Sequence, residues 1–138
     1  MHSLKLFALL APIILAVDLL WIGVLMKGFY LRELADIARR EGAGLAPRWG
    51  AVVVVYLIIP LGLILFVRPL AGDDGRLLPA LYRGAVFGLI MYGVYDFTNL
   101  ATLEKWTLRM ALVDVAWGAT LCGSMSVVMI LIDRWLRS

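Results

Sequence analysis

Four long apolar runs dominate this chain, at about residues 4–26, 50–67, 81–102 and 108–132, each bounded by charged or turn-forming residues. A helix needs roughly 20 residues to cross about 30 Å of hydrocarbon, so each run is of spanning length. Lipid offers no hydrogen-bond partners, and every backbone N–H and C=O must be satisfied within its own segment. The runs are therefore expected to be helices, and the strict alternation of barrel strands is absent. The fold class that follows is all-α: a polytopic membrane protein, a four-transmembrane-helix bundle forming a single membrane domain over residues 1–138.

Composition agrees. The chain is 63% hydrophobic with a mean hydropathy of +0.93, against about half apolar for soluble domains. Charged residues make up 17% and fall mostly between the runs, which leaves little room for a separate soluble domain. Within the first run, Lys5 precedes a long apolar stretch, Leu6 to Met26, as in an export signal. It is too long for a signal core, contains Asp18 and lacks a small-x-small cleavage pattern, so it is expected to be a retained helix.

The net charge of +3 does not indicate nucleic acid. The basic residues are scattered over helix ends and loops, with no dense stripe to meet a phosphate backbone. Four spans put both termini on one side. Lys5, Arg68, Arg76, Arg83, Arg134 and Arg137 lie there, against Lys27, Arg32, Arg39, Arg40, Arg48, Lys105 and Arg109 on the other side. That balance leaves the positive-inside rule without a preference.

Between the first two runs, Phe29, Tyr30, Leu31, Leu34 and Ala38 can form one face of a short amphipathic interfacial helix, with Arg32, Glu33, Asp36, Arg39 and Arg40 opposite. Gly42, Gly44 and Pro47 end it. Pro60 predicts a kink in the second span. Gly72-Asp73-Asp74-Gly75 reads as a solvated turn. Trp49 and Trp106 at the borders read as interface anchors.

The single cysteine, Cys122, has no intrachain disulfide partner, and the single histidine, His2, stands at the terminus. Histidine-based metal sites inside the membrane and a Ser-His-Asp triad are thereby excluded. The residues leave the cofactor open: two or three carboxylates can bind Mg²⁺ or another hard cation through oxygen ligands, and no residue is assigned as a metal ligand.

Three acids lie within the spans: Asp18, Asp96 and Asp114. An ionised, unpaired acid in a bilayer costs about 3 kcal/mol or more, which makes each a functional candidate. Counting at ~1.5 Å per residue from the helix ends, all three lie about 9 to 12 Å from the same membrane face. Tyr56 enters the second span from that side at a similar depth. Tyr92, Asp96 and Asn99 share one helical stripe, flanked by Tyr95 and Thr102. Continued backwards, the stripe passes through Gly88 and Gly84, a small-residue face that lets another helix approach, within the chain or as the seam of a homodimer. Asp114 shares a face with Trp117 and Gly118, and Asp18 with Trp21. Val17-Asp18-Leu19-Leu20-Trp21 echoes Val113-Asp114-Val115-Ala116-Trp117. Asp96, Asp114 and Asp18 are the candidate catalytic residues. Asn99, Tyr92, Tyr95, Trp21, Trp117, Tyr56 and Thr102 are the candidate substrate-binding residues. Against this stands a structural reading, in which the acids bond across helices and fix the bundle.

The segment Tyr92-Gly93-Val94-Tyr95-Asp96-Phe97-Thr98-Asn99-Leu100-Ala101-Thr102 resembles the Y-x-x-YD-x-TN-x-AT pattern of a bacterial membrane-protein family, catalogued as domain of unknown function 2177. Asp114, Trp117 and Gly118 match its D-x-x-WG. Asp18, Trp21 and Gly23 match an early D-x-x-W-x-G, and Phe29-Tyr30 a following F-Y. The resemblance covers nearly the whole chain. It implies four membrane helices in a bacterial inner membrane and brings no established activity.

Three functions compete. The first is an enzyme or enzyme subunit acting on a membrane lipid or other hydrophobic substrate through the polar layer. The second is a small dimeric carrier or channel, and the third an assembly subunit of a membrane complex.

Overall fold

The computed structural model describes residues 1–42, 44–71 and 76–138. The turn read at residues 72–75 lies outside the described residues. Among the described residues there are five α-helices: α1 (His2–Leu20), α2 (Lys27–Glu33), α3 (Trp49–Gly62), α4 (Leu77–Thr102) and α5 (Leu108–Trp135). A π turn, Trp21–Leu25, extends α1. A π turn, Leu63–Val67, and a 3-10 turn, Arg68–Ala71, extend α3. With these extensions, His2–Leu25, Trp49–Ala71, α4 and α5 are the four helices long and apolar enough to cross a membrane. The third starts four residues earlier than its expected start at Leu81, because Pro79 falls in the first helical turn, where a backbone N–H has no partner to lose.

The longest contact joins α4 to α5 in antiparallel register. Its seam is made of missing side chains. A Cβ on Gly88 would fall 2.1 Å from the Gly118 carbonyl oxygen, and one on Gly84 would fall 2.5 Å from the Cys122 carbonyl oxygen. The Gly84/Gly88 face, read as a possible seam between two copies, is thus filled by the chain's own last span. The sequence alone left the neighbour open, because a small-residue face states how close a helix comes and not which one.

α1 packs against both α5 and α3. Leu6, Leu10 and Ile14, a stripe at helical spacing, bury themselves against Ile59, Leu63, Val67, Leu121, Met125 and Met129. This apolar core fills the half of the bundle nearest the termini. α3 meets α4 and α5 chiefly through its last turns, where Gly62 admits the Phe87 ring. Pro60 stands just before that point; it deprives the Tyr56 carbonyl of a donor, and the helix goes over into the π turn three residues later.

On the termini side, buried Asp133 draws three elements together. Its Oδ1 receives Arg68 at 2.7 Å and His2 Nε2 at 2.8 Å, and its Oδ2 receives Arg137 at 3.0 Å. In the sequence Asp133 is one of the charged residues just past the fourth run; the clamp depends on the ends of α1 and α3 arriving there.

On the opposite side, α2 packs onto the bundle. Phe29 and Tyr30 are buried against Trp106, Met110 and Ala111. The apolar face read as interfacial therefore turns inward, and Trp106 is a buried wall residue, 8% exposed, in place of a border anchor. Thr107 joins the two: it caps α5 through the Met110 N–H and donates to Glu33 of α2. A two-stranded hairpin (Arg40–Glu41 with Gly44–Leu45) then leads to α3, and Gly42 in its turn has φ +59°, a conformation that favours glycine.

The seam yields the first prediction. Gly88→Ala is expected to lower the melting temperature in detergent, since inserted bulk against backbone costs about 1–3 kcal/mol. Gly93→Ala, which meets nothing within 4 Å, is expected not to lower it. Equal melting points for the two variants would refute this account of the α4–α5 contact.

Candidate functional site

Between the apolar core and the α2 cap lies a polar layer built from all four spans. α4 and α5 cross it in step: Gly84 faces Ser126, Gly88 faces Cys122 and Gly118, and Tyr92 lies on Gly118. One turn further, the carboxyl of Asp96 lies beside that of Asp114. A Cβ on Gly118 would fall 2.2 Å from the Tyr92 ring, so this glycine is what lets the ring in.

Asp18 is fully engaged. Its Oδ1 accepts from the Trp117 indole N–H at 2.6 Å and its Oδ2 from the Tyr56 hydroxyl at 2.5 Å. Asp114 Oδ1 accepts from the Tyr30 hydroxyl at 2.6 Å, and that hydroxyl accepts from the Trp21 indole at 3.1 Å. The Trp21 and Trp117 rings stack, 4.1 Å between centroids and 2° from parallel. The two echoed Asp-x-x-Trp segments therefore meet. Asp18 takes the indole of the other segment directly, and Asp114 takes it through Tyr30. Burial and the adjacent Asp114 push the Tyr30 hydroxyl well above the usual tyrosine range, so it stays a donor.

Asp96 differs from both. It is 0% exposed, and neither of its oxygens has a hydrogen bond of good geometry among the described residues. Its polar neighbours are Asp114 and the Trp106 indole, whose Nε1 is likewise buried and unbonded. Trp106 also meets Tyr95 edge-on. Among the described residues, no three acidic, cysteine or histidine side chains gather closely enough to hold a metal ion.

A cleft of about 660 Å³ opens beside this layer, where the first half of α3 stands away from α4. Asp18, Tyr56, Tyr92 and Asp114 line its inner end, exposed Tyr95 and apolar residues of α3 its wall, and Arg48 and Trp49 its outer end. Of the ten candidate residues, five reach the cleft: Asp18, Asp114, Tyr56, Tyr92 and Tyr95. Asp96, Trp21 and Trp117 stand behind it. Asn99 is half-buried beside the Tyr95 hydroxyl. Thr102 is exposed and bonds the Thr98 carbonyl; six residues beyond Asp96 it lies about 240° around the helix and faces away.

Tyr30 and Arg48 are the members that the sequence reading passed over. Tyr30 carried a signal, since it belongs to the matching F-Y pair, but its reach to Asp114 depends on α2 folding back. Arg48 stood out only as a border residue.

The Tyr30 bond makes α2 a fastened cap. Tyr30→Phe is expected to speed tryptic cutting within residues 32–48 about tenfold, the effect of losing a bond to an acidic group. Tyr82→Phe, on an exposed ring, serves as the control. Equal cutting rates would show that α2 is held by its apolar face alone.

Comparison with curated proteins returned no match, and neither did comparison with solved structures. Among protein families, the one described as "Predicted membrane protein (DUF2177)" matches residues 3–131. The matched range contains the four spans almost entirely, together with every residue of the polar layer. This four-helix integral membrane protein belongs to that family.

Proposed function

We propose that the protein is an enzyme, or a subunit of one, that admits a lipid or other hydrophobic substrate from the bilayer and acts on it at Asp114. The observation that carries this reading is the cleft, whose largely apolar wall ends on hydrogen-bonding groups. Its volume falls within the range of small-molecule sites, about 300–1,000 Å³. A substrate lying along Val52 and Val55 brings the linkage below its headgroup to Tyr92 and Asp114.

The three acids then divide their work. Asp114 has one oxygen held by Tyr30 and faces the cleft, so it is the general acid or base. Asp96 lies behind it, out of reach of substrate, and acts through Asp114. At Asp18 the structural reading is favoured: both its oxygens are spent on Trp117 and Tyr56, so it is a positioning residue that sets the Tyr56 hydroxyl in the wall. Tyr92 donates to no described residue and is available to a substrate oxygen.

The test is the lipid extract of a host carrying the wild-type gene, its deletion or the Asp114→Asn variant at equal expression. Asp114→Asn is expected to reproduce the deletion profile, with at least a tenfold loss of whatever product the wild type adds, as removal of a general acid or base predicts. If the deletion alters the profile and Asp114→Asn restores it fully, the proposal is wrong.

A further inference from the structure

We infer that the cleft selects a membrane lipid with an anionic headgroup, read at its mouth by Arg48. This rests on the cleft being the substrate site and names the substrate class. Arg48 is the only cation among the described residues that line the cleft. It is exposed, and no ion pair engages it among the described residues. It stands immediately before the first turn of α3, beside Trp49, at the depth where indoles meet lipid headgroups. The chain beyond it along the wall is apolar: Ala51, Val52, Val55, Ile58 and Ile59. A charged end followed by an apolar wall matches a lipid, with its anionic group at the interface and its chain along α3.

The surroundings of the mouth add to the charge. The segment before α3 carries Lys27, Arg32, Arg39, Arg40 and Arg48. Of its three acids, Asp36 pairs with Lys105 at 3.2 Å, and Glu33 accepts from Thr107 at 2.5 Å and faces Arg109 at 3.9 Å. Only Glu41 is left to offset the five cations. A neutral or zwitterionic headgroup gains less from that field than an anionic one. Cations at a membrane border are ordinary; this one also lines the cleft, where an anionic group of the occupant can pair with it.

The experiment uses the full chain in nanodiscs of equal parts phosphatidylglycerol and phosphatidylcholine, with the lipids retained on release read by native mass spectrometry. Wild type is expected to retain phosphatidylglycerol about fivefold over phosphatidylcholine, the effect of one arginine near the surface. Arg48→Gln should bring the ratio to about one, while Arg39→Gln keeps it. Equal retention of both lipids by wild type, or a preference that survives Arg48→Gln, overturns the headgroup assignment and leaves the cleft as a lipid site. Should Arg48→Gln fail to fold, Val55→Trp obstructs the wall with all charges intact and should abolish retention. Retention unchanged by Val55→Trp, or none in wild type, overturns this inference and the substrate cleft together.

Discussion

The approach of α4 to α5 at Gly88 and Gly118 sets the geometry on which the rest depends. With a carbonyl where a side chain would be, the two backbones come as near as helices can, and the antiparallel register is fixed every four residues. Gly84 meets Ser126, Gly88 meets Cys122 and Tyr92 meets Gly118. The next step of the same ladder brings Asp96 to Asp114. Dispersion and close packing, not hydrophobic burial, drive such a contact in lipid, and it carries the acids inward as a consequence.

The remaining helices answer to that pair. α1 lies on α5 and brings Asp18 to the Trp117 indole; α3 lies on α1 and brings Tyr56 to Asp18. α3 is gripped at its far end, by Gly62 on Phe87, and stands apart at its near end. The cleft follows from that difference: one end of the helix has a glycine that admits a neighbour, and the other presents Val52, Val55 and Tyr56 across open space.

The polar layer sits between two apolar clusters, the core of α1, α3 and α5 on one side and the α2 cap on the other. Such an arrangement shields bonds like Tyr30 to Asp114 from water and strengthens them. It also explains why Asp18 and Asp96 differ so sharply in satisfaction. Asp18 meets two donors from neighbouring spans, whereas Asp96 faces another acid and an indole whose N–H is poorly aimed. A fully satisfied acid such as Asp18 is a fixed part of the frame.

Much of this was legible without coordinates. Run length and hydropathy determined the four spans, because a bilayer admits few alternatives. Spacing on a single helix determined that Gly84, Gly88, Tyr92 and Asp96 share a stripe, and counting from helix ends put the three acids at one depth. What lay beyond the sequence was every relation around a helix axis or between segments. Which helix fills the glycine stripe, that Phe29 and Tyr30 turn inward, that Trp106 is buried, that Thr102 faces away and that Asp133 gathers His2, Arg68 and Arg137 were all decided by packing. The physical reason is that lipid fixes the depth of a residue through the length of its own helix, but its neighbours are fixed only when other helices choose a rotation and a register. That choice depends on side chains far apart in the chain.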